Sequence, residues 1–174
     1  EIGLEKDKFV LMTIHRPATV DSKPELEKLI NLIEFVTKNY KIVFPVHPRT
    51  IANLKKFALY DRFCAIVNLK ISEPLGYFAF QKLITDCKFI LTDSGGIQEE
   101  STFLLKPCIT LRPNTERPST VVNGTNTLLP FDLGLIQATI KSIEDGSYKQ
   151  GTIPAMWDGI ATSRIVKLLS SMFS

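Results

Sequence analysis

The sequence predicts an α/β domain, an open parallel sheet of about six strands with helices on both faces. Three observations predict it. Short apolar, β-prone runs alternate with helix-period segments six times along 174 residues. The runs are continuous in their apolar character, as strands covered on both faces are. The connections between them are short, as the crossover units of such a sheet require.

Phe9-Val10-Leu11-Met12-Thr13-Ile14 is the first strand, and His15-Arg16-Pro17 ends it. Ser22 to Pro24 breaks the chain, after which Leu26, Leu29, Ile30, Ile33 and Val36 recur at helical spacing. Pro24 falls in the first turn of that helix, where a missing N–H costs nothing. Lys41-Ile42-Val43-Phe44-Pro45-Val46 makes the second strand and stops at His47-Pro48-Arg49, and Ile51 to Leu59 reads as a helix. Ala65 to Ile71 is a third, short strand. The loop Ser72-Glu73-Pro74-Leu75-Gly76 then leads into an apolar helix, Tyr77 to Ile84. Lys88-Phe89-Ile90-Leu91 is the fourth strand, and Thr92-Asp93-Ser94-Gly95-Gly96 turns it into a helix marked by Ile97, Ser101 and Leu104. Cys108-Ile109-Thr110-Leu111 is the fifth strand, Arg112 to Arg117 a polar loop, and Asn126-Thr127-Leu128-Leu129 the sixth strand. Helices Leu133 to Ile143 and Ile160 to Phe173 close the chain, and the charged first seven residues and Glu144 to Pro154 are the linker candidates.

At 44% hydrophobic residues the chain can bury a proper core as one domain, residues 1–174. The net charge of +3 comes from scattered Lys and Arg, without the basic runs or aromatic interleaving of a nucleic-acid surface, so no nucleic-acid partner is expected. A weakly basic balance suits an anionic small ligand. Cys64, Cys87 and Cys108 are odd in number and widely spaced, which points away from a disulfide framework or a zinc site and toward reduced, buried thiols in a cytoplasmic protein. No apolar stretch reaches membrane-spanning length and no charged-then-apolar leader is read, so no membrane partner is expected. Glu1 in the place of Met reads as a processed or excised chain.

In open parallel sheets ligands bind beyond the carboxyl ends of the strands, where strand order reverses. His15-Arg16, His47, the loop Pro74 to Tyr77, Ser94 to Gly96 and Arg112 to Arg117 all follow predicted strands and therefore share one rim. The turn at Ser94 opens a helix, whose unpaired N–H groups and positive dipole end suit a phosphate, and Gly95 and Gly96 let an anion approach the backbone. Glu100 lies four residues after Gly96 on the same helix face, about 6 Å further along the axis, a gap that a ribose diol fits. Two histidines, three arginines, a glycine turn and a carboxylate on one edge make a site for an anionic nucleotide or sugar phosphate. Plainer readings compete: Asp93 or Ser94 as a helix cap, the glycines as a tight turn, Glu100 as a solvated carboxylate, and each histidine as a structural hydrogen-bonding residue.

The segments His15-Arg16-Pro17, Pro45-Val46-His47-Pro48, Glu73-Pro74-Leu75-Gly76-Tyr77, Leu91-Thr92-Asp93-Ser94-Gly95-Gly96-Ile97-Gln98-Glu99-Glu100 and Thr115-Glu116-Arg117-Pro118 resemble the non-hydrolysing UDP-N-acetylglucosamine 2-epimerases, in that family's order and spacing. The resemblance extends to Asp158-Gly159-Ile160-Ala161 with Arg164-Ile165 and so covers nearly the whole chain. It implies a Rossmann-like domain, one half of a GT-B architecture, namely the carboxyl-terminal, UDP-binding half of a two-domain enzyme. It further implies that Ser94, Gly95 and Gly96 hold the diphosphate, Glu100 the ribose hydroxyls, and that Arg117 assists with the phosphates. Phe80 would line the uracil pocket, although without the family it reads equally as a core aromatic. His15 matches the family histidine that faces the phosphates and is the one catalytic candidate on this chain, while Arg16 and His47 match neighbouring cleft positions. Pro17-Ala18-Thr19 departs from the polar or acidic residue that usually follows the His-Arg pair.

The implied activity is that of an isomerase that interconverts UDP-GlcNAc and UDP-ManNAc by eliminating and re-adding UDP, in cell-surface polysaccharide biosynthesis. Proton removal at C2 needs a general base, and the departing UDP needs cationic and N–H groups. The carboxylates assigned to proton transfer lie in the amino-terminal half, so this chain by itself is expected to bind UDP without turnover. No metal or cofactor is implied. The implied partners are a UDP-sugar and the amino-terminal half of the same enzyme, with a homodimer for the full-length protein and a monomer for this fragment. Two alternatives stand beside this reading: the donor-binding domain of a GT-B glycosyltransferase, and a nucleotide-sugar-binding module without chemistry.

Overall fold

The computed structural model describes residues 4–173, so the first three residues of the predicted amino-terminal linker lie outside the described residues. Among the described residues six short strands pair in parallel: β1 (Phe9–Thr13), β2 (Lys41–Pro45), β3 (Leu69–Ser72), β4 (Phe89–Thr92), β5 (Cys108–Leu111) and β6 (Asn126–Leu129). Their spatial order is β3-β2-β1-β4-β5-β6, so the order reverses between β1 and β4. Those two strands pair from Val10 opposite Phe89 to Thr13 opposite Thr92, and they end level. The residues that leave β1 and β4 therefore emerge side by side at the carboxyl edge.

Side-chain alternation sends each strand's residues into two apolar layers. On one face Val10, Met12, Ile42, Phe44, Phe89 and Leu91 meet the buried stripe of α2 (Lys23–Val36), with α3 (Pro48–Lys56), α4 (Tyr60–Cys64) and α8 (Leu133–Glu144) adding Leu54, Phe63, Ile136 and Ile140. On the other face Phe9, Leu11, Val43, Ile90 and Cys108 pack with Leu83 and Ile84 of α5 (Tyr77–Asp86) and Ile97 of α6 (Gly95–Phe103). The fold is the predicted open parallel sheet with helices on both faces.

Boundaries shift where capping and turns intervene. His47 Nδ1 accepts from the Arg49 N–H at 3.1 Å and caps α3, which therefore starts at Pro48, before the predicted Ile51. The helix ends early because Ala58 takes a left-handed backbone, φ 55°. The unpredicted α4 and the turn behind it consume Ala65 to Asn68, leaving β3 shorter than the expected strand. Two further short helices, α1 (Pro17–Val20) and α7 (Pro118–Val122), occupy predicted loops, each opened by a proline at a first-turn position.

A buried polar cluster joins α6 to β5, β6 and α7. Asn126 donates to Gln98 Oε1 and to Thr120 Oγ1, both at 3.0 Å, and accepts from Thr110 Oγ1 at 2.6 Å. Thr115 Oγ1 donates to the same Gln98 oxygen at 2.6 Å, which ties the arginine loop to α6. Gly124 completes this corner, because a Cβ there would sit 2.5 Å from Thr102 Cγ2 and 2.6 Å from the Thr120 carbonyl. Gly124→Ala is expected to destabilise the domain by about 1–3 kcal/mol, measured from urea midpoints.

The last helix, α9 (Ala161–Met172), contains no buried residue, and Ile165, Val166, Leu168, Leu169 and Met172 are all exposed. The Arg164 guanidinium pairs with Asp158 at its start.

The cysteines depart from expectation at one position. All three are free, and Cys87 and Cys108 are buried, with burial pushing their thiols up to about 12 and about 11. Cys64, expected to be buried, is exposed at the end of α4, since Phe63 takes the inward position of that helix. A thiol reagent is therefore expected to modify one cysteine per native chain and three after denaturation, which a thiol titration with and without denaturant measures. Among the described residues no helix is long and apolar enough to cross a membrane, and no group of three or more His, Cys, Asp or Glu could hold a metal ion.

Candidate functional site

The rim is knitted together by Asp93, the first residue after β4. Its side chain is fully buried and accepts from the His15 N–H at 3.0 and 3.1 Å and from the Arg16 N–H at 2.8 Å, and its Oδ1 lies 3.2 Å from His15 Nδ1. Asp93 is therefore no helix cap, as one sequence reading had it. Beside it Thr13 and Thr92 join their hydroxyls at 2.7 Å, and Thr92 Oγ1 accepts from the Ser94 N–H at 3.0 Å.

Ser94 occupies the N-cap position of α6 with extended backbone, but its side chain makes no capping bond. Gly95 and Gly96 follow as the first helical residues, so their N–H groups belong to the set that a helix leaves without internal acceptors. Neither glycine has positive φ, and a Cβ built on either one meets no heavy atom within 4 Å. The turn itself does not require glycine at these positions. Their missing side chains leave open space in front of the helix start, where the dipole favours an anion.

His15, His47 and Phe80 are brought together in a cleft of about 190 Å³ that Pro74 and Leu75 also line. The two imidazole rings lie 5.7 Å apart. Glu100 faces a second cleft, about 380 Å³, with Tyr77, Gln81, Phe103 and Trp157. Phe80 and Glu100 line different clefts of the rim. Glu100 is half-buried, not solvated. Desolvation pushes its carboxyl above the usual range, while the Gln81 amide beside it draws it partly back. Neither Gln81 Nε2 nor Glu100 Oε2 completes a hydrogen bond of ordinary geometry, so both remain buried without partners.

Each arginine on the rim has its own environment. Arg112 is buried and grips Glu116 with two bonds of 2.7 and 3.0 Å, which hold that carboxyl at about 2. Arg117 is 42% exposed at its side chain and stands 2.9 Å from Glu99 as an ion pair whose angle falls short of a hydrogen bond. Arg16 contributes its N–H to Asp93 and its charge to the neighbourhood of Glu116. Sequence reasoning missed Asp93, Gln81 and Glu99 as members of this rim. Gln81 follows Tyr77 by one helical turn, a signal available in the sequence, whereas Asp93 and Glu99 acquire their partners only through the sheet order.

Strand order, the glycine helix start at the point of reversal and the rim of loops are those of a Rossmann-like half of a GT-B protein. The same fold recurs in a heptosyltransferase of E. coli crystallised with ADP-2-deoxy-2-fluoro heptose, at TM-score 0.55 and 15% identity over 81% of this chain and 44% of that one. A sequence model described as UDP-N-acetylglucosamine 2-epimerase matches residues 1–170, and the chain belongs to that family. A UDP-N-acetylglucosamine 2-epimerase of Methanocaldococcus jannaschii is 46% identical over 94% of this chain and 45% of its own length. A homolog of that enzyme from Methanococcus maripaludis is 39% identical over 99% of this chain and 47% of its own. The crystal structure of the Methanocaldococcus jannaschii enzyme in complex with UDP-GlcNAc and UDP superimposes at TM-score 0.83, with 36% identity over 95% of this chain and 46% of that one. The chain spans about half the length of the curated relatives it matches.

Proposed function

We propose that this chain is the UDP-sugar-binding half of a UDP-N-acetylglucosamine 2-epimerase, an isomerase that interconverts UDP-GlcNAc and UDP-ManNAc. The observation that carries the proposal is the glycine pair at the start of α6, which the turn does not need and which leaves the helix N-terminus open to an anion. Ser94, Gly95 and Gly96 then receive the diphosphate, and the half-buried Glu100, one turn along, accepts from the ribose hydroxyls. Phe80 with the Pro74-Leu75 loop offers an apolar wall for the base. Arg117 and His15 supply positive charge and N–H groups to the phosphates, for which Arg117 must exchange its ion pair with Glu99.

In this reading UDP leaves C1 as a proton leaves C2, and the rim stabilises the charge that develops on the departing diphosphate. The carboxylates that move the proton belong to an amino-terminal half, and α9, whose apolar residues are exposed, supplies a surface for that half to cover. The chain alone binds UDP without turnover, as a monomer, and the full-length enzyme is a homodimer. Free cysteines fit a reducing compartment, the cytoplasm.

Calorimetric titration of UDP into the folded chain tests the proposal. Saturable heat below about 1 mM supports it, and no heat at millimolar UDP overturns it. An upstream reading frame that encodes a second Rossmann-like half with acidic cleft residues distinguishes the epimerase from a GT-B glycosyltransferase.

A further inference from the structure

The Asp93 carboxyl is fully buried, and a carboxyl taken out of water needs its oxygens well partnered. Two of its partners are backbone N–H groups, which shape the turn at His15-Arg16. Clipping a turn needs only a neutral acceptor, such as an asparagine oxygen. The third contact is different in kind. Oδ1 lies 3.2 Å from His15 Nδ1, a charge contact whose angle falls short of a hydrogen bond, while the same ring is 40% exposed and lines the cleft shared with His47 and Phe80. Nδ1 and Nε2 lie on opposite sides of an imidazole, so a ring that turns Nδ1 inward to a carboxylate presents Nε2 to the cleft. A carboxylate at Nδ1 also fixes the tautomer and stabilises positive charge on the ring.

We propose that Asp93 is a positioning residue for His15. It sets the backbone turn that carries the histidine and keeps a proton on Nδ1, so that the ring meets the diphosphate as an imidazolium whose Nε2–H donates to the oxygens at the start of α6. The last clause rests on the reading of this rim as a UDP site; the Asp93–His15 geometry does not.

The chain has two histidines, so their imidazole nitrogens can be resolved by long-range ¹H–¹⁵N correlation spectroscopy, with His15→Gln to assign them. At alkaline pH, where free imidazole is neutral, His15 is expected to show a protonated Nδ1 and a bare Nε2. Asp93→Asn is expected to lose that signature and to weaken UDP about tenfold, the scale of one charge-assisted hydrogen bond. The double variant Asp93→Asn with His15→Gln is expected to bind UDP no more weakly than His15→Gln alone, because the aspartate acts through the ring. A bare Nδ1 in the wild-type chain overturns the proposal without any variant, so a failure of Asp93→Asn to fold does not shield it. Losses that add in full overturn it as well, since they assign Asp93 a structural role independent of His15. A chain that shows the His15 signature but binds no UDP supports the pairing and overturns the UDP reading instead.

Discussion

Gly96→Val is expected to leave the chain folded and to weaken UDP by tenfold or more. The two halves of this expectation come from one geometric fact. A Cβ at Gly96 meets nothing within 4 Å and the backbone is not left-handed, so the domain is expected to accommodate a side chain there. Valine is also a better helix former than glycine, so the unfolding midpoint should stay level or rise slightly. The ligand meets the opposite situation. A phosphate held by first-turn N–H groups must come within hydrogen-bond distance of the backbone, and two methyl groups there force it outward or out altogether. Overpacking of this kind costs about 1–3 kcal/mol, and its midpoint, about 2 kcal/mol, is roughly a thirtyfold loss. Thermal unfolding and UDP calorimetry on the same sample check both halves. A variant that binds UDP as the wild type does would remove the anion site from the start of α6. Gly124→Ala is the internal contrast, since there the side chain meets protein and the loss is in stability.

Glu100→Ala carries the second large effect, roughly tenfold to hundredfold in UDP affinity, which is the range for hydrogen bonds to a charged acceptor. The loss is expected to vanish for a dideoxy-ribose analogue of UDP, because the carboxylate then has nothing to accept. Equal losses for both ligands would refute the ribose role. The folded chain without ligand should show the reverse preference. Desolvation raises the Glu100 carboxyl, so the folded state binds this proton more readily than the unfolded state does. Stability associated with the group therefore falls as pH rises from about 4.5, the ordinary value, through the raised one. Glu100→Gln is accordingly expected to be at least as stable as wild type at neutral pH, with the difference closing in acid. A residue that favours binding and opposes stability is a common mark of a functional site.

The fold was legible because its signals are local. Six apolar runs such as Phe89-Ile90-Leu91 and helix-period stretches such as Leu26 to Val36 state their conformations through near neighbours, and most match within a residue or two; the start of β3 and both ends of α3 lie three or four residues from where the sequence puts them. The four- and five-residue helices α1, α4 and α7 were missed because one turn leaves too few residues for a period to show. The missed α4 also explains Cys64, which an apolar neighbourhood in sequence placed inside and one helical turn placed outside.

The candidate site divides along the same line. Ser94-Gly95-Gly96 and Glu100 announced themselves by spacing on a single helix start, and so did the histidines that end two strands. The chain's own chemistry thus determined that this is a parallel α/β sheet with an anion-ready turn at one strand end. Only the folded structure decided that β1 lies beside β4, and with it that Asp93 reaches His15 across 78 residues of sequence. It also decided that Glu100 is desolvated, that Phe80 and Glu100 face different clefts, and that α9 leaves its apolar side chains in solvent. Periodicity records the bonds a residue makes within a turn or two. Burial and partnership across a sheet depend on which strands become neighbours, and that order follows from packing all the helices at once.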